Sequence, residues 1–328
     1  MRIVRGFVSI AKRAPRWLVS LIFFVLIALF LALYLRSIEW DKIAALSVNW
    51  SLIADATILG LVFLYLGAYI WRVILRALGA TSLPGYGTTT DVYARAWMGR
   101  YIPGTVTWIA GKVYMASQWG ISKSRLSVAS LLEGGSQVAA FTFVAFMLLG
   151  FDSRLDMLST AAQLSLIALG ALVLVILIPP VFNRLLHIAF KVLKKDVSDE
   201  LKINNAAVSR AFLLYIFAAF LTGSASFFVI WSVVPGLHGG DIWFVTGTFC
   251  LATVAGMAAP FAPSGLGIRD GVQLVLLTAI MPKEQALAAT VLVRLWSVCL
   301  DLIFLGLTRP SLYRLGRKRQ ANSDMSVR

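Results

Sequence analysis

The chain has 328 residues, of which 59% are hydrophobic and only 14% are charged, and its formal net charge is +15. A soluble domain carries about 25% charged residues, so this composition excludes a water-soluble body of this length and predicts an integral membrane protein. The positive charge would suit a nucleic-acid-binding protein, but Lys and Arg cluster in the tails and in short loops between apolar runs, so we expect no nucleic-acid partner.

The chain begins with a basic tail, residues 1–16, that contains five Lys or Arg residues and no acid. An apolar run follows at 17–35. This run is longer than the apolar core of an ordinary secretory signal peptide, and no Ala-x-Ala cleavage motif follows it. The pattern predicts a transmembrane helix that is retained in the protein, with the tail on the cytoplasmic side.

Apolar segments long enough to cross a bilayer recur along the chain, since a crossing helix needs about 20 mostly apolar residues. The six predicted spans are about 17–35, 51–71, 126–150, 160–181, 208–234 and 285–308. Two further apolar regions, 84–119 and 242–281, are interrupted near their middle by Pro and Gly, which break or weaken a helix. The sequence therefore predicts an all-α polytopic membrane protein with up to eight or more membrane segments. Each interrupted region is predicted as a re-entrant helical hairpin or as a kinked pair of spans.

Basic residues set the expected orientation. They are enriched in the first tail, after the second span, in the segment 182–210 and in the tail 309–328. Cytoplasmic loops carry such an excess, so both termini are predicted to be cytoplasmic and 17–308 to form a single transmembrane domain. The order of helix, helix, interrupted region and helix occurs twice. It predicts an inverted repeat of 17–150 and 160–308, with the interrupted regions entering from opposite faces.

Charged and polar side chains inside apolar runs are costly, and they mark an interior or a pathway. Glu133 and Gln137 are four residues apart, so they share one helix face. Arg294 and Asp301 are seven apart, on one face of the last span. Arg294 is either a structural partner of Glu133, Asp270 or Asp301, or a contact to a substrate.

More charges flank the two breaks. Arg100 precedes the first break and Lys112 follows it, and Arg269 and Asp270 follow the second. Arg269 and Asp270 either neutralise each other at a helix start or belong to a site. We hypothesise that Arg100, Lys112, Arg269 and Arg294 line a cavity for an anionic headgroup, with helix N-termini adding partial positive charge.

Two motifs carry a resemblance to a known family: the segment Arg100–Gly104 followed by Gly111, Lys112 and Val113, and the segment Ala259–Asp270. They resemble the lysylphosphatidylglycerol synthase transmembrane-region family, which is also described as flippase-like, and the resemblance covers nearly the whole chain. The residues that match the family's motifs, or lie within them, are Arg100, Pro103, Gly104, Lys112, Pro260, Pro263, Ser264, Gly265, Gly267 and Arg269.

The resemblance implies a multi-pass bacterial or archaeal membrane domain. In two-domain synthases this region is associated with moving aminoacylated phospholipids between leaflets, and stand-alone members are linked to lipid or cell-envelope glycolipid pathways. The chain departs from the family pattern at Asp270, where Glu is usual. We expect no soluble synthetase domain after residue 328, so the chain itself is not expected to be an enzyme, and its lipid need not be aminoacylated.

The resulting prediction is a lipid translocase of the cytoplasmic (inner) membrane that binds an anionic or modified phospholipid, or an envelope glycolipid, in a central polar cavity. The alternative is a non-transporting accessory protein that works with a separately encoded lipid- or envelope-synthesis enzyme. An intramembrane enzyme is disfavoured because no base such as His accompanies Glu133 or Asp270. No P-loop or zinc-binding spacing is present, so no cofactor or metal is predicted. We expect Arg269→Ala and Arg294→Ala to reduce function without loss of expression.

Overall fold

The regular structure consists only of α-helices and short 3₁₀ turns in the part of the chain that is described. The computed structural model describes residues 48–101, 106–150, 205–259 and 262–308, together with 152, 154, 181 and 184. Eight α-helices lie within these ranges: α1 (Trp50–Ala77), α2 (Tyr86–Trp97), α3 (Val106–Ala116), α4 (Lys123–Leu149), α5 (Asn205–Trp231), α6 (Ile242–Met257), α7 (Ile268–Leu277) and α8 (Lys283–Thr308). The predicted all-α class is confirmed for these residues.

Four of the six predicted spans are confirmed as long helices: α1, α4, α5 and α8 have 28, 27, 27 and 26 residues. At 1.5 Å per residue each is about 40 Å long, which exceeds the roughly 30 Å of a hydrocarbon core. Five helical segments are long and apolar enough to cross a membrane, and the fifth is Gly239–Met257, the first arm of the second interrupted region. The predicted span 17–35, the predicted span 160–181 apart from its last residue, and both predicted tails lie outside the described residues.

Side-chain caps fix where two of the long helices begin. The side chain of Asn49 accepts a hydrogen bond from the backbone N–H of Ser51 at the start of α1. At the start of α4, the Ser122 hydroxyl oxygen accepts a hydrogen bond from the backbone N–H of Arg125. These caps satisfy N–H groups that have no partner inside the helix. The backbone N–H of Asn49 also donates to the carbonyl of Ser232, 2.9 Å away, so the start of α1 lies beside the end of α5 and the two helices are antiparallel.

Helices α1 and α8 run parallel to each other. The indole N–H of Trp296, at the middle of α8, donates over 3.2 Å to the hydroxyl of Thr57, in the first third of α1. Further along both helices, the rings of Tyr65 and Phe304 meet edge to face with centroids 5.1 Å apart. The two contacts advance together along both helices, so α8 begins at the end of the bundle where α1 begins.

The first interrupted region folds as a hairpin of two short helices, α2 and α3. A Cβ placed on Gly111 would lie 3.5 Å from the Cβ of Ala96, whereas Gly99 faces Trp108, so the arms pack side by side and antiparallel. Arg125 at the start of α4 donates to the carbonyl of Gly79 just after α1. The hairpin is therefore entered and left at one end of the bundle, the end where α1 finishes.

The second interrupted region also folds as an antiparallel hairpin, formed by α6 and α7. At its closed end the backbones of Gly256 and Gly265 approach so closely that a Cβ on Gly265 would lie 2.7 Å from the Cα of Gly256. At its open end Phe244 and Leu276 share one apolar cluster. This antiparallel packing fits both the re-entrant hairpin and the kinked pair of spans that the sequence allowed, and the choice between them stays a prediction.

The two hairpins enter the bundle from opposite ends. Arg154, shortly after α4, forms a 2.6 Å ion pair with Asp241 at the start of α6, so the second hairpin opens where α4 ends. The first hairpin opens where α4 begins. The 3₁₀ turns at the two breaks, Met98–Tyr101 and Pro263–Gly265, contact each other inside the bundle. The fold thus brings both Pro/Gly breaks to one place.

The glycine pair at the second break gives a stability prediction. We expect Gly265→Ala to lower the free energy of unfolding by about 2 kcal/mol or more, because Gly265 has a φ of +71° and its Cβ would meet the Gly256 backbone. Thermal unfolding of the purified protein in detergent measures the change. The matched control is Gly271→Ala, because nothing lies within 4 Å of a Cβ there. Equal melting temperatures for the two variants would contradict the prediction.

Candidate functional site

A cavity of about 530 Å³ lies where the two breaks meet. Both hairpins contribute to its wall, as do the long helices α1, α4, α5 and α8. Six aromatic side chains give the wall its mainly apolar character: Phe63, Trp97, Trp108, Phe141, Phe249 and Trp296. A concave, mainly apolar space with a few polar groups is the usual form of a ligand site, so this cavity is the candidate functional site.

Arg100 and Asp301 form an ion pair on the cavity wall, joining the first break to α8. The Trp97 indole N–H donates to one oxygen of Asp301 at 3.0 Å, and the Tyr101 hydroxyl donates to the other at 2.5 Å. The Asp301 side chain is only 2% exposed. Three donors therefore hold this carboxylate, and its charge is neutralised by Arg100.

Arg269 also lines the cavity and is only 8% exposed. Its guanidinium stacks over the Phe249 ring at 4.7 Å. Within the described residues it has no ion pair and no hydrogen bond with another side chain or the backbone. A buried cation usually has an acidic partner, because removing a charge from water is costly. Arg269 therefore gives the cavity a positive charge that no described side chain neutralises.

Arg294 supports the backbone of the second break. Its guanidinium donates to the carbonyl of Ser264 at 3.1 Å, and it forms no ion pair with Glu133, Asp270 or Asp301. Ser264 has a φ of 51°, a left-handed conformation that is uncommon for a residue with a side chain. The partner of Arg294 is thus a carbonyl at the break rather than one of the three acids that the sequence suggested, and Arg294 does not itself line the cavity.

Asp270 also binds the backbone of this break. Its carboxylate accepts a hydrogen bond from the N–H of Gly267 at 3.1 Å, in the first turn of α7, where the helix dipole favours negative charge. Gly267 and Gly265 both have positive φ values, which glycine adopts without steric cost. Asp270 and Arg269 form no ion pair in direct contact, although the Asp270 carboxylate attracts the charge of Arg269 at longer range.

Lys112 and Glu133 form a fully buried ion pair beside the cavity, with 0% and 1% side-chain exposure and a separation of 2.5 Å. The Tyr215 hydroxyl donates to Glu133 at 3.2 Å. The Lys112 ammonium lies 4.2 Å from the ring centroid of Tyr93 and 4.4 Å from that of Trp108. Neither charged residue lines the cavity. The sequence hypothesis placed Lys112 on the cavity wall, but the structure uses it to join the first hairpin to α4 and α5.

The remaining predicted site residues divide into three groups. Gln137, one turn after Glu133 on α4, is buried and lines the cavity, as do Ser264 and Gly265. Pro263 begins the turn of the second break. Pro103, Gly104 and Pro260 lie outside the described residues.

Sequence reasoning missed the neutral groups that bind the buried acids and line the cavity. Trp97, Tyr101 and Tyr215 donate to Asp301 or Glu133, and Thr222 lines the cavity from α5. Tyr215 and Thr222 lie in an apolar run where no local pattern distinguishes them, whereas Trp97 and Tyr101 flank Arg100, and their position beside that charge was the available signal. In the described ranges no group of His, Cys, Asp and Glu is suited to hold a metal ion.

Comparison with known proteins gives one family. The family model described as the lysylphosphatidylglycerol synthase TM region matches residues 17–304. The match includes both hairpins, both breaks and the whole cavity wall. No curated protein matches the chain.

Proposed function

The chain belongs to the lysylphosphatidylglycerol synthase transmembrane-region family, and from this premise we propose that it is a lipid translocase of the cytoplasmic membrane. In this proposal the cavity binds an anionic lipid headgroup while the acyl chains stay in the bilayer. The protein makes and breaks no covalent bond. It supplies a polar route for a group that the hydrocarbon core excludes, and movement is downhill or coupled to an ion.

The observation that carries the proposal is Arg269. It is a nearly buried cation on the wall of the cavity, and no described acid neutralises it. Keeping such a charge away from water is unfavourable unless an anion accompanies it. A phosphate group on a lipid is the anion that a site inside a bilayer meets most often. The Arg269 guanidinium, which lies over the Phe249 ring, would bind that phosphate beside the aromatic wall.

The two hairpins support the transport part of the proposal. They open at opposite ends of the bundle and meet at the cavity, which is the arrangement expected of an inverted repeat. Arg72, Arg76 and Arg125 cluster at the end where the first hairpin opens, so this end is assigned to the cytoplasm. A small movement of either hairpin would open the cavity to one face.

This orientation predicts a labelling pattern. In a variant without Cys250 and Cys299, single cysteines at Gly85 and Lys123 should react with an impermeant thiol reagent only from the cytoplasmic side, because both lie at the open end of the first hairpin. All the introduced sites are exposed, so access to the reagent does not limit the reaction.

Cysteines at Gly236 and Glu284 are the matched comparison, and they should react only from the opposite side. Labelling of inverted and right-side-out membrane vesicles measures the pattern. Reaction of positions 85 and 123 from different sides would mean that the first interrupted region crosses the membrane, and would contradict the hairpin topology.

Leaflet exchange in reconstituted vesicles tests the function. Purified protein in proteoliposomes with a trace of headgroup-labelled anionic phospholipid should speed the loss of label accessibility from the outer leaflet, without nucleotide. Protein-free vesicles give the background rate. If exchange stays at background for anionic, zwitterionic and aminoacylated lipids, the translocase proposal is wrong. Lipid binding without exchange would instead favour the accessory role.

A further inference from the structure

We propose that the headgroup taken by this cavity is a hydroxyl-bearing phosphodiester with a single negative charge, and that the cavity discriminates against headgroups with an ammonium group. This inference rests on the proposed headgroup binding and names its chemical class. It is drawn from the charges and the free hydrogen-bonding groups on the wall.

The charges on the wall favour one negative charge. Among the described lining residues the charged ones are Arg100, Arg269 and Asp301. Arg100 and Asp301 neutralise each other, which leaves the charge of Arg269. Behind the second break, Asp270 and Arg294 have opposite charges, and both bind backbone groups of the break. One phosphodiester balances the charge of Arg269 without leaving a buried excess of either sign.

A headgroup ammonium has no free acid to pair with in the cavity. Asp301 is the one carboxylate among the described lining residues, and Arg100, Tyr101 and Trp97 already donate to it. Aromatic faces are the other common partner of ammonium groups. Of the three lining indoles, Trp97 already has Arg100 over its ring at 4.6 Å and Trp108 has the cation of Lys112 at 4.4 Å, whereas Trp296 donates its N–H to Thr57.

An ammonium group would therefore enter a space that already contains the cation of Arg269 and has no free acid. The repulsion and the loss of hydration would both oppose its binding. This disfavours zwitterionic and aminoacylated headgroups alike.

Hydroxyl groups, by contrast, have two ready partners. Gln137 on α4 and Thr222 on α5 line the cavity and are only 5% and 6% exposed. Neither has a hydrogen-bond partner within the described residues, and neither has its polar atoms sealed from the cavity. An amide and a hydroxyl can each donate and accept, so they suit alcohol groups of a glycerol, inositol or sugar unit. Burying them unpaired is unfavourable, and a hydroxyl-bearing ligand would remove that cost.

Three short-chain lipids with the same acyl chains separate the effects of the negative charge, the hydroxyl groups and the ammonium group on binding. Phosphatidylglycerol has the charge and the hydroxyls, phosphatidylmethanol has the charge alone, and phosphatidylethanolamine adds an ammonium. Native mass spectrometry or calorimetry of the purified full chain in detergent measures their binding. Phosphatidylglycerol should bind about tenfold more tightly than phosphatidylmethanol, and phosphatidylethanolamine should bind weakest, since unpaired buried groups reduce affinity by about this factor or more.

Variants of the cavity wall test whether Gln137 and Thr222 cause the preference for hydroxyl-bearing headgroups. Gln137→Leu with Thr222→Val should reduce phosphatidylglycerol binding to the level of phosphatidylmethanol and leave phosphatidylmethanol binding unchanged. The matched control is Gln273→Leu with Thr142→Val, which makes the same changes at buried sites away from the cavity and should retain the preference. A preference that survives the cavity pair would overturn the role of the hydroxyl-binding groups.

The outcomes also separate this inference from the proposed function. Equal or tighter binding of phosphatidylethanolamine would overturn the headgroup class, even if leaflet exchange is observed for every lipid. Selective binding of phosphatidylglycerol without exchange would support the headgroup class and remove the translocase proposal.

Discussion

Lys112→Met should lower the free energy of unfolding by about 3–5 kcal/mol, because it leaves the Glu133 carboxylate buried without its counter-ion. Both side chains are almost completely buried, and without Lys112 the carboxylate keeps only neutral hydroxyl neighbours, those of Tyr215 and Tyr93. Glu133→Gln should be destabilising for the converse reason, since it leaves the Lys112 ammonium without an acid. Thermal unfolding in detergent should show a drop of about 10 °C for each variant.

The double variant tests whether the pair itself is the cause. Lys112→Met combined with Glu133→Gln removes both charges, so it should be clearly more stable than either single variant. Lys283→Met and Glu284→Gln make the same chemical changes at exposed positions in the first turn of α8 and should have little effect. If the two single losses simply add in the double variant, the ion pair does not account for the destabilisation.

Arg269→Gln should reduce leaflet exchange of an anionic lipid to near the rate of protein-free vesicles, at least about tenfold, because it removes the unneutralised charge of the cavity. The fold should remain, since Arg269 has no hydrogen bond or ion pair within the described residues to lose, and its melting temperature should stay close to that of the wild type. Arg76→Gln is the matched control, because Arg76 is exposed at the end of α1 and should leave exchange unchanged.

Arg294 provides a contrast that separates a binding role from a structural one. Arg294→Ala loses the hydrogen bond to Ser264, so it should lower both exchange and melting temperature. Normal exchange in Arg269→Gln would remove the anion-binding role of the cavity. Loss of folding in Arg269→Gln would instead show that this arginine is needed for structure.

The sequence was sufficient for the helical class and for the positions of the described spans. Lipid offers no hydrogen bonds to the backbone, so an apolar run of more than 20 residues has to form a helix, and its length is visible in the sequence. The two breaks were also visible in the sequence, because they depend on local properties of Pro and Gly. Pro lacks an N–H group, and Gly265 and Gly267 adopt positive φ values that other residues avoid.

Only the tertiary structure decided which charged side chains pair with each other. Asp301 is seven residues from Arg294 on the same helix, yet it binds Arg100, which lies 201 residues away in sequence. Arg294 instead binds the carbonyl of Ser264. Helix periodicity places two side chains on one face, but it does not say how deep an opposing hairpin inserts. The depth of the two hairpins pairs Asp301 with Arg100 and leaves Arg269 facing the cavity. The sequence alone therefore determined which described segments form long apolar helices and where the helices break. The packing of the two hairpins determined which charge has no ion-pair partner, because ion pairs depend on the distances between separate helices.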